Sequence, residues 1–210
     1  MHPNTHPRKP EEIHLYPKRY TGVGSRETPT EVAELICDLG QALCTLGWLG
    51  MSGESGAADL SFHDGARRSP MYQQVGFAAF IPWNGFRPDP SKPEVFADWS
   101  KGIYDASKFH SWTDAEVLAE RARGSFERLG RGGKALHTRN TYQVLTPTLR
   151  HPSAKLICWA QPVGNGNKVS GGTNTAVQLA ITYGVPVSNL YLEEVRRAAE
   201  DWLKRTKESE

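Results

Sequence analysis

Two carboxylates, Glu54 and Asp59, stand five residues apart in "SGESGAADLSFHDGA", where a turn rich in glycine and serine runs into a helix. An acid at such a junction can accept from a ribose hydroxyl, meet the amine of a base, or serve as the carboxylate in cleaving a base-to-ribose bond. Each has an ordinary alternative: Glu54 can turn away into solvent, and Asp59, in the first turn, complements the helix dipole wherever it points. A second segment, "GNGNKVSGGTNTAVQLAITYGVPV", leads bare backbone into an apolar helix. First-turn amides lack intrahelical partners and the dipole there is positive, so Gly171, Gly172, Thr173, Asn174 and Thr175 form a natural seat for phosphate. They read equally as a loop and cap, since Ser170, Thr173 and Asn174 are capping types. The third such turn, "GVGSR", offers Gly24, Ser25 and Arg26. Arg26 is a phosphate clamp or a surface arginine paired with Glu27 or Glu31, and Gly53 and Ser55 complete the loop that bears Glu54.

Charge adds one local feature. Lys and Arg number 25 against 23 Asp and Glu, so the whole chain does not announce a nucleic-acid partner. From Arg121 to Arg150, however, Arg121, Arg123, Arg128, Arg131, Lys134, Arg139 and Arg150 face the single acid Glu127. Interleaved with Phe126, His137 and Tyr142, this run could follow the backbone of single-stranded DNA, with Arg121, Arg123, Arg128, Arg131 and Lys134 on phosphates; it could also be a solvated basic face. "RLGRGGK" is no Walker A loop, because no strand precedes it and GxxxxGK[ST] is missing. Trp83, Trp99 and Trp112 either stack on a base or hold a loop-rich region together.

The elements that must position these groups alternate. "RYTGVGSR" reads as a strand. A helix follows from Pro29, with Thr28 as cap and apolar residues at Val32, Leu35, Ile36, Leu39, Leu43 and Leu46. A strand ending at Met51, a helix over 57–68 and the strand "VGFAAFIPW" repeat the plan. A loop-rich insert over about 84–147 carries helical stretches near 113–129 and 135–145. "KLICWA", a helix over 173–183, "VPVSNL" and a helix over 192–204 close the chain. This order predicts an α/β fold, a Rossmann-like parallel sheet with helices on both faces and the insert after its third strand. Residues 16–210 form one domain, and 1–15 are expected to be a disordered or surface-draped tail. Cys37, Cys44 and Cys158 lack CxxC spacing and the seven histidines lack ligand spacing, so no metal and no cofactor is expected. Neither a membrane span nor a signal peptide is visible, which predicts a cytoplasmic protein without a membrane partner and leaves homo-oligomerisation open.

In parallel sheets ligands gather at the carboxyl ends of the strands, where the three glycine-bearing loops would converge. Four stretches there resemble the SLOG superfamily, which unites the DNA-processing protein DprA, the LOG-type nucleotide phosphoribohydrolases and related nucleotide sensors. "GVGSR" resembles the family's first-strand turn, "SGESGAADLSFHDGA" its SGGAxGxDxxAHxGA pattern, "HTRNTYQVL" its RN-containing helix, and "SGGTNTAVQLAITYGVPV" its GGTxxA segment. "IPWNGF", "RNTYQVL" and "ICWA" look most like DprA-like proteins of bacteriophages, which would act in the host cytoplasm. The resemblance spans about 20–190 and implies a nucleotide or nucleotide-derived ligand, with Arg139 and Asn140 as further contacts. Two departures stand out. Where LOG-type enzymes carry a PGGxGTxxE glutamate this chain has Gln178, which can hydrogen-bond but not act as a carboxylate, and Glu54 replaces a glycine. If Gln178 replaces a catalytic acid, its side chain should face the same ligand from one turn further along the helix. Binding of a nucleotide or single-stranded DNA is therefore the first reading. A nucleotide N-glycosidase or phosphoribohydrolase using Glu54 or Asp59 is the alternative.

Overall fold

A computed structural model describes residues 9–208. Its strands and helices are β1 (Arg19–Gly24), α1 (Thr30–Thr45), β2 (Leu49–Ser52), α2 (Ala57–Arg68), α3 (Tyr72–Val75), β3 (Phe77–Ile81), β4 (Ile103–Asp105), α4 (Trp112–Arg123), α5 (Arg131–Leu145), β5 (Lys155–Trp159), β6 (Pro162–Val163), β7 (Lys168–Val169), α6 (Thr173–Thr182), β8 (Val187–Asn189) and α7 (Glu193–Glu208). Six strands form one sheet in the order β4-β3-β2-β1-β5-β8, and every pairing is parallel. α1 packs on α2 and α7, while α4, α5 and α6 pack on one another. This is the Rossmann-like α/β fold that alternating strands and helices predict. β3, "FAAFI", is buried at every position, as a central parallel strand covered on both faces must be.

The chain leaves β1 for β2, β3 and β4 on one side and returns to β5 and β8 on the other. The strand order reverses between β1 and β5, which opens a crevice at their carboxyl ends. β1 stays paired with β5 to its last residue, Gly24 opposite Trp159, whereas its pairing with β2 ends at Thr21 opposite Met51.

Several expectations need correction. The insert contributes a strand of its own, β4, paired with β3 from Ala79 opposite Ile103 to Ile81 opposite Asp105. Three residues are too short to show periodicity, which hides this edge strand in the sequence. α5 starts at Arg131 rather than near 135; Gly132 and Gly133, poor helix formers, occupy its first turn and hide that start in the sequence. The glycine loop after β5 is partly a hairpin, β6 pairing antiparallel with β7. Thr28 does not cap α1; its hydroxyl donates to the Ser25 carbonyl (2.7 Å) and braces the turn after β1. Within the segment expected to be disordered or draped, Pro10–Leu15 form a 3-10 helix that buries Pro10 and Ile13. Residues 1–8 of that expectation lie outside the described residues. The three cysteines are free and buried. No helix among the described residues is long and apolar enough to cross a membrane.

α1 and α2 approach through two mid-helix glycines. A methyl group at Gly65 would lie 2.0 Å from the Cys37 carbonyl oxygen, and one at Gly40 would lie 2.6 Å from that of Phe62. Both obstacles are backbone and cannot swing aside. Helix propensity alone would make Gly65→Ala stabilising by about 1 kcal/mol. Overpacking costs about 1–3 kcal/mol or more and outweighs that gain. Gly65→Ala should therefore lower Tm by several degrees in a thermal melt. A raised Tm would contradict this close approach of the two backbones.

Candidate ligand cleft at the sheet switch point

The crevice between β1 and β5 continues into a cleft of about 380 Å³, walled by the turn after β1, the start of α2, one face of α5 and the start of α6. It brings together Gly24, Ser25, Arg26, Ser55, Asp59, Arg139, Asn140, Gly171, Gly172 and Thr173 of the residues expected to bind. Gly53, Glu54, Asn174, Thr175 and Gln178 lie behind its walls rather than on them.

Under the cleft is a guanidinium. Arg139 is 3% exposed, donates through Nη1 to the Phe80 carbonyl at the end of β3 (3.1 Å) and through Nη2 to Ser55 Oγ, and stands 3.8 Å from Asp59 Oδ2. The Gln143 amide is oriented by its neighbours: its oxygen accepts from Arg139 Nη1 (2.8 Å) and the Gly53 amide (2.8 Å), and its nitrogen donates to Asn140 Oδ1 (3.1 Å). Asn140 in turn donates to the Gly172 carbonyl (2.9 Å) and so tethers the start of α6. Gly53 is required here, since a methyl group at that position would fall 1.4 Å from Arg139 Nη1. Gly24 is required as well, because its methyl would meet that of Ala58 at 2.5 Å and push α2 off the end of β1.

Burial governs the charges. It pushes the Asp59 carboxyl up to about 6, although Arg139 and the Ser55 and Gly24 amides favour the ionised form; Glu54 adds to the rise. Arg139 is shifted down by the same desolvation, opposed by Asp59 and Glu54. His137 is pushed down to about 4 by burial and then by Arg123 and Arg139, so it is neutral at pH 7 and shares a 2.7 Å hydrogen bond with Thr175 Oγ1. A carboxyl that titrates near neutrality in a cleft is a candidate proton donor or acceptor.

Glu54 is not a cleft residue. It is buried, and its Oε1 lies 2.7 Å from His63 Nδ1; that ring stacks on Phe77 at 4.5 Å and its Nε2 is 3.2 Å from Tyr72 Oη. With His63 packed in the core, Glu54 turns toward it, and its influence on the cleft is electrostatic, through Asp59 and Arg139. Gln178 is also displaced from its expected place. It shares a helix face with Asn174, but that face looks at the β6–β7 hairpin: Gln178 Nε2 donates to the Asn167 carbonyl (2.8 Å), and Asn174 Oδ1 accepts from the Val169 amide (3.1 Å). The hairpin, invisible in a glycine-rich loop, takes up both side chains. Of the aromatic residues expected to stack along a strand, Phe126 and Tyr142 are buried. His137, offered from the sequence only as a stacking partner along a strand, and Gln143, not singled out there, both line the cleft. The signal for them is the polar series His137, Asn140 and Gln143 at spacing three on a helix buried on nearly every side, where an apolar stripe is the rule.

Arg121 and Arg128 are exposed, Arg123 donates to the Ser125 carbonyl, and Arg131 and Lys134 border a second cleft beyond α5. Among the described residues no group of three or more His, Cys, Asp or Glu could hold a metal. Compared with known proteins, the chain matches no family model, no curated sequence and no solved structure.

The Asp59 shift has a defined sign. Unfolded, the group ionises near 3.8; folded, near 6. Its contribution to stability is full below pH 3.8 and is lost as pH rises through 6, about 3 kcal/mol at about 1.4 kcal/mol per unit. Asp59→Asn, uncharged throughout, should flatten the decline in unfolding free energy between pH 4 and 7, measured by urea denaturation. An unchanged slope would contradict the buried carboxyl.

Proposed function

We propose that the cleft binds a nucleotide or nucleotide-derived ligand, either as a free small molecule or as the end of a single DNA strand. The observation that carries this reading is the convergence of two bare backbone segments, Gly24 to Arg26 and Gly171 to Thr173, on one cleft whose floor is a buried arginine. The phosphate sits on the α6 amino terminus and the Ser25 turn, with Arg26 closing over it; the Arg26 Nε donates to the Ser55 carbonyl (3.1 Å), which holds the side chain across the cleft mouth. Asn140 and Asp59 meet the sugar. The gathering of the four SLOG-like stretches around this cleft supports reading the chain as a SLOG protein, and "IPWNGF", "RNTYQVL" and "ICWA" support the finer reading of a DprA-like protein of bacteriophage origin. The exposed cations Arg121 and Arg128 support single-stranded DNA as one source of the ligand.

A second reading, hydrolysis of the base-to-ribose bond, is favoured by one observation, the Asp59 carboxyl raised to about 6 inside the cleft. Of the two acids the sequence offers for that role, Glu54 and Asp59, it falls to Asp59, because Glu54 is spent on His63. Gln178 has no part in either reading.

Position 172 separates binding from folding. Its φ is −66° and a methyl group there would touch nothing within 4 Å, so a side chain is tolerated by the fold yet fills the phosphate seat. Gly172→Val should leave Tm unchanged without ligand and abolish the Tm rise produced by nucleoside monophosphates in the natural protein. An equal rise in both proteins would exclude this cleft. Release of free base by the natural protein, lost in Asp59→Asn, would establish the hydrolase instead.

A further inference from the structure

The first two turns of α5 are a ridge with a cleft on either side. Gly133, Leu136 and His137 face the ligand cleft, while Arg131, Gly132, Lys134 and Ala135 face a second cleft of about 910 Å³. Across that second cleft stand Trp83 and Trp112. Each indole is braced from behind: Trp83 meets Phe86 edge-on at 5.3 Å, and Trp112 stacks over Tyr142 at 6.3 Å. They are half-buried, held in place and open on the cleft side, which is the arrangement a planar ring needs for stacking at little entropic cost. Neither Arg131 nor Lys134 forms an ion pair with an acid among the described residues. Glu116, also on the wall, is the one acid lining the cleft. A methyl at Gly132 would stand 3.6 Å from the Trp83 indole and one at Gly133 3.4 Å from Leu129, so both side chains pack against this turn of α5.

Resting on the nucleotide reading of the first cleft, we infer that the ligand carries two bases: the phosphate group of one nucleotide occupies the first cleft, the chain crosses the Gly132–Gly133 ridge, and the second base stacks against Trp83 and Trp112 with its phosphate on Arg131 and Lys134. Two cations beside two indoles suit a base with its phosphate; Gly133 lines one cleft and its neighbour Gly132 the other, so a covalent link has only this turn of α5 to cross. This chemistry is common to the end of a single strand and to a soluble dinucleotide.

Calorimetric titration with three probes tests it: adenosine monophosphate, a 5′-phosphorylated adenine dinucleotide joined by a phosphodiester, and diadenosine joined by pyrophosphate. At least one of the two-base probes should bind about ten-fold or more tightly than the mononucleotide, the gain expected of one stacked base. Which of them gains identifies the source, strand or soluble dinucleotide. Trp83→Ala should erase the gain and leave mononucleotide affinity unchanged. The double variant Arg131→Glu, Lys134→Glu changes only solvent-facing charges and should weaken two-base probes alone, which covers the case in which Trp83→Ala fails to fold. Equal affinity for one-base and two-base probes, or a gain that survives the charge reversal, would overturn the inference while leaving the first cleft in place. Binding of no probe at all would overturn the first-cleft reading and this one with it.

Discussion

A guanidinium withdrawn from water needs acceptors, and at Arg139 that requirement organises the cleft around Nη1 and Nη2, while the buried Nε is left without a partner. Its acceptors come from the end of β3, the loop after β2 and the next turn of α5 itself, and its counter-charge, Asp59, from the first turn of α2. Each is held where the cation needs it. Gly53 has no side chain because Arg139 occupies that volume, and Gln143 links the cation to Asn140, hence to the start of α6. A buried charge pair is weak evidence for stability, since removing two ions from water costs several kcal/mol each, so its value here is better sought in placement. Losing either partner would leave the other charge uncompensated under the cleft.

The same desolvation that makes the pair costly sets the chemistry available. Asp59 faces a cation at 3.8 Å and two backbone amides, yet its carboxyl still titrates near 6 because burial outweighs them. Glu54, though committed to His63, adds negative potential from behind the wall. The cleft thus sets an anion-seeking rim, at Arg26 and the α6 amino terminus, over a floor where the Arg139 charge is already offset by Asp59 and Glu54. Such a division suits a ligand whose phosphate stays at the rim and whose uncharged sugar reaches inward.

Much of this was legible in the residues. Alternating apolar strands and 3.6-periodic helices showed the parallel sheet, and glycine-bearing turns at strand ends located the edge on which the cleft opens, since both patterns are local. What escaped depended on contacts between distant segments. β4 is three residues long and is a strand only because β3 offers it an edge. The start of α5 was hidden by Gly132 and Gly133, whose poor helix propensity is overridden by packing. Glu54 and Gln178 were misplaced for one reason: each has a stronger polar partner elsewhere, His63 and the Asn167 carbonyl, and neither partner is identifiable from spacing. The converse holds for His137 and Gln143, which a search for buried polar stripes on a helix would have found.

The central claim is that bare backbone on two loops holds the phosphate of a nucleotide. Amide chemical shifts during titration with adenosine monophosphate, followed by 15N–1H correlation spectra of the whole chain, address it most directly. The account predicts the largest shifts at Gly171, Gly172 and Thr173 and at Ser25 and Arg26, with saturation at a single affinity. Saturable shifts confined to the exposed basic run from Arg121 to Arg128, with the two glycine loops silent, would contradict it.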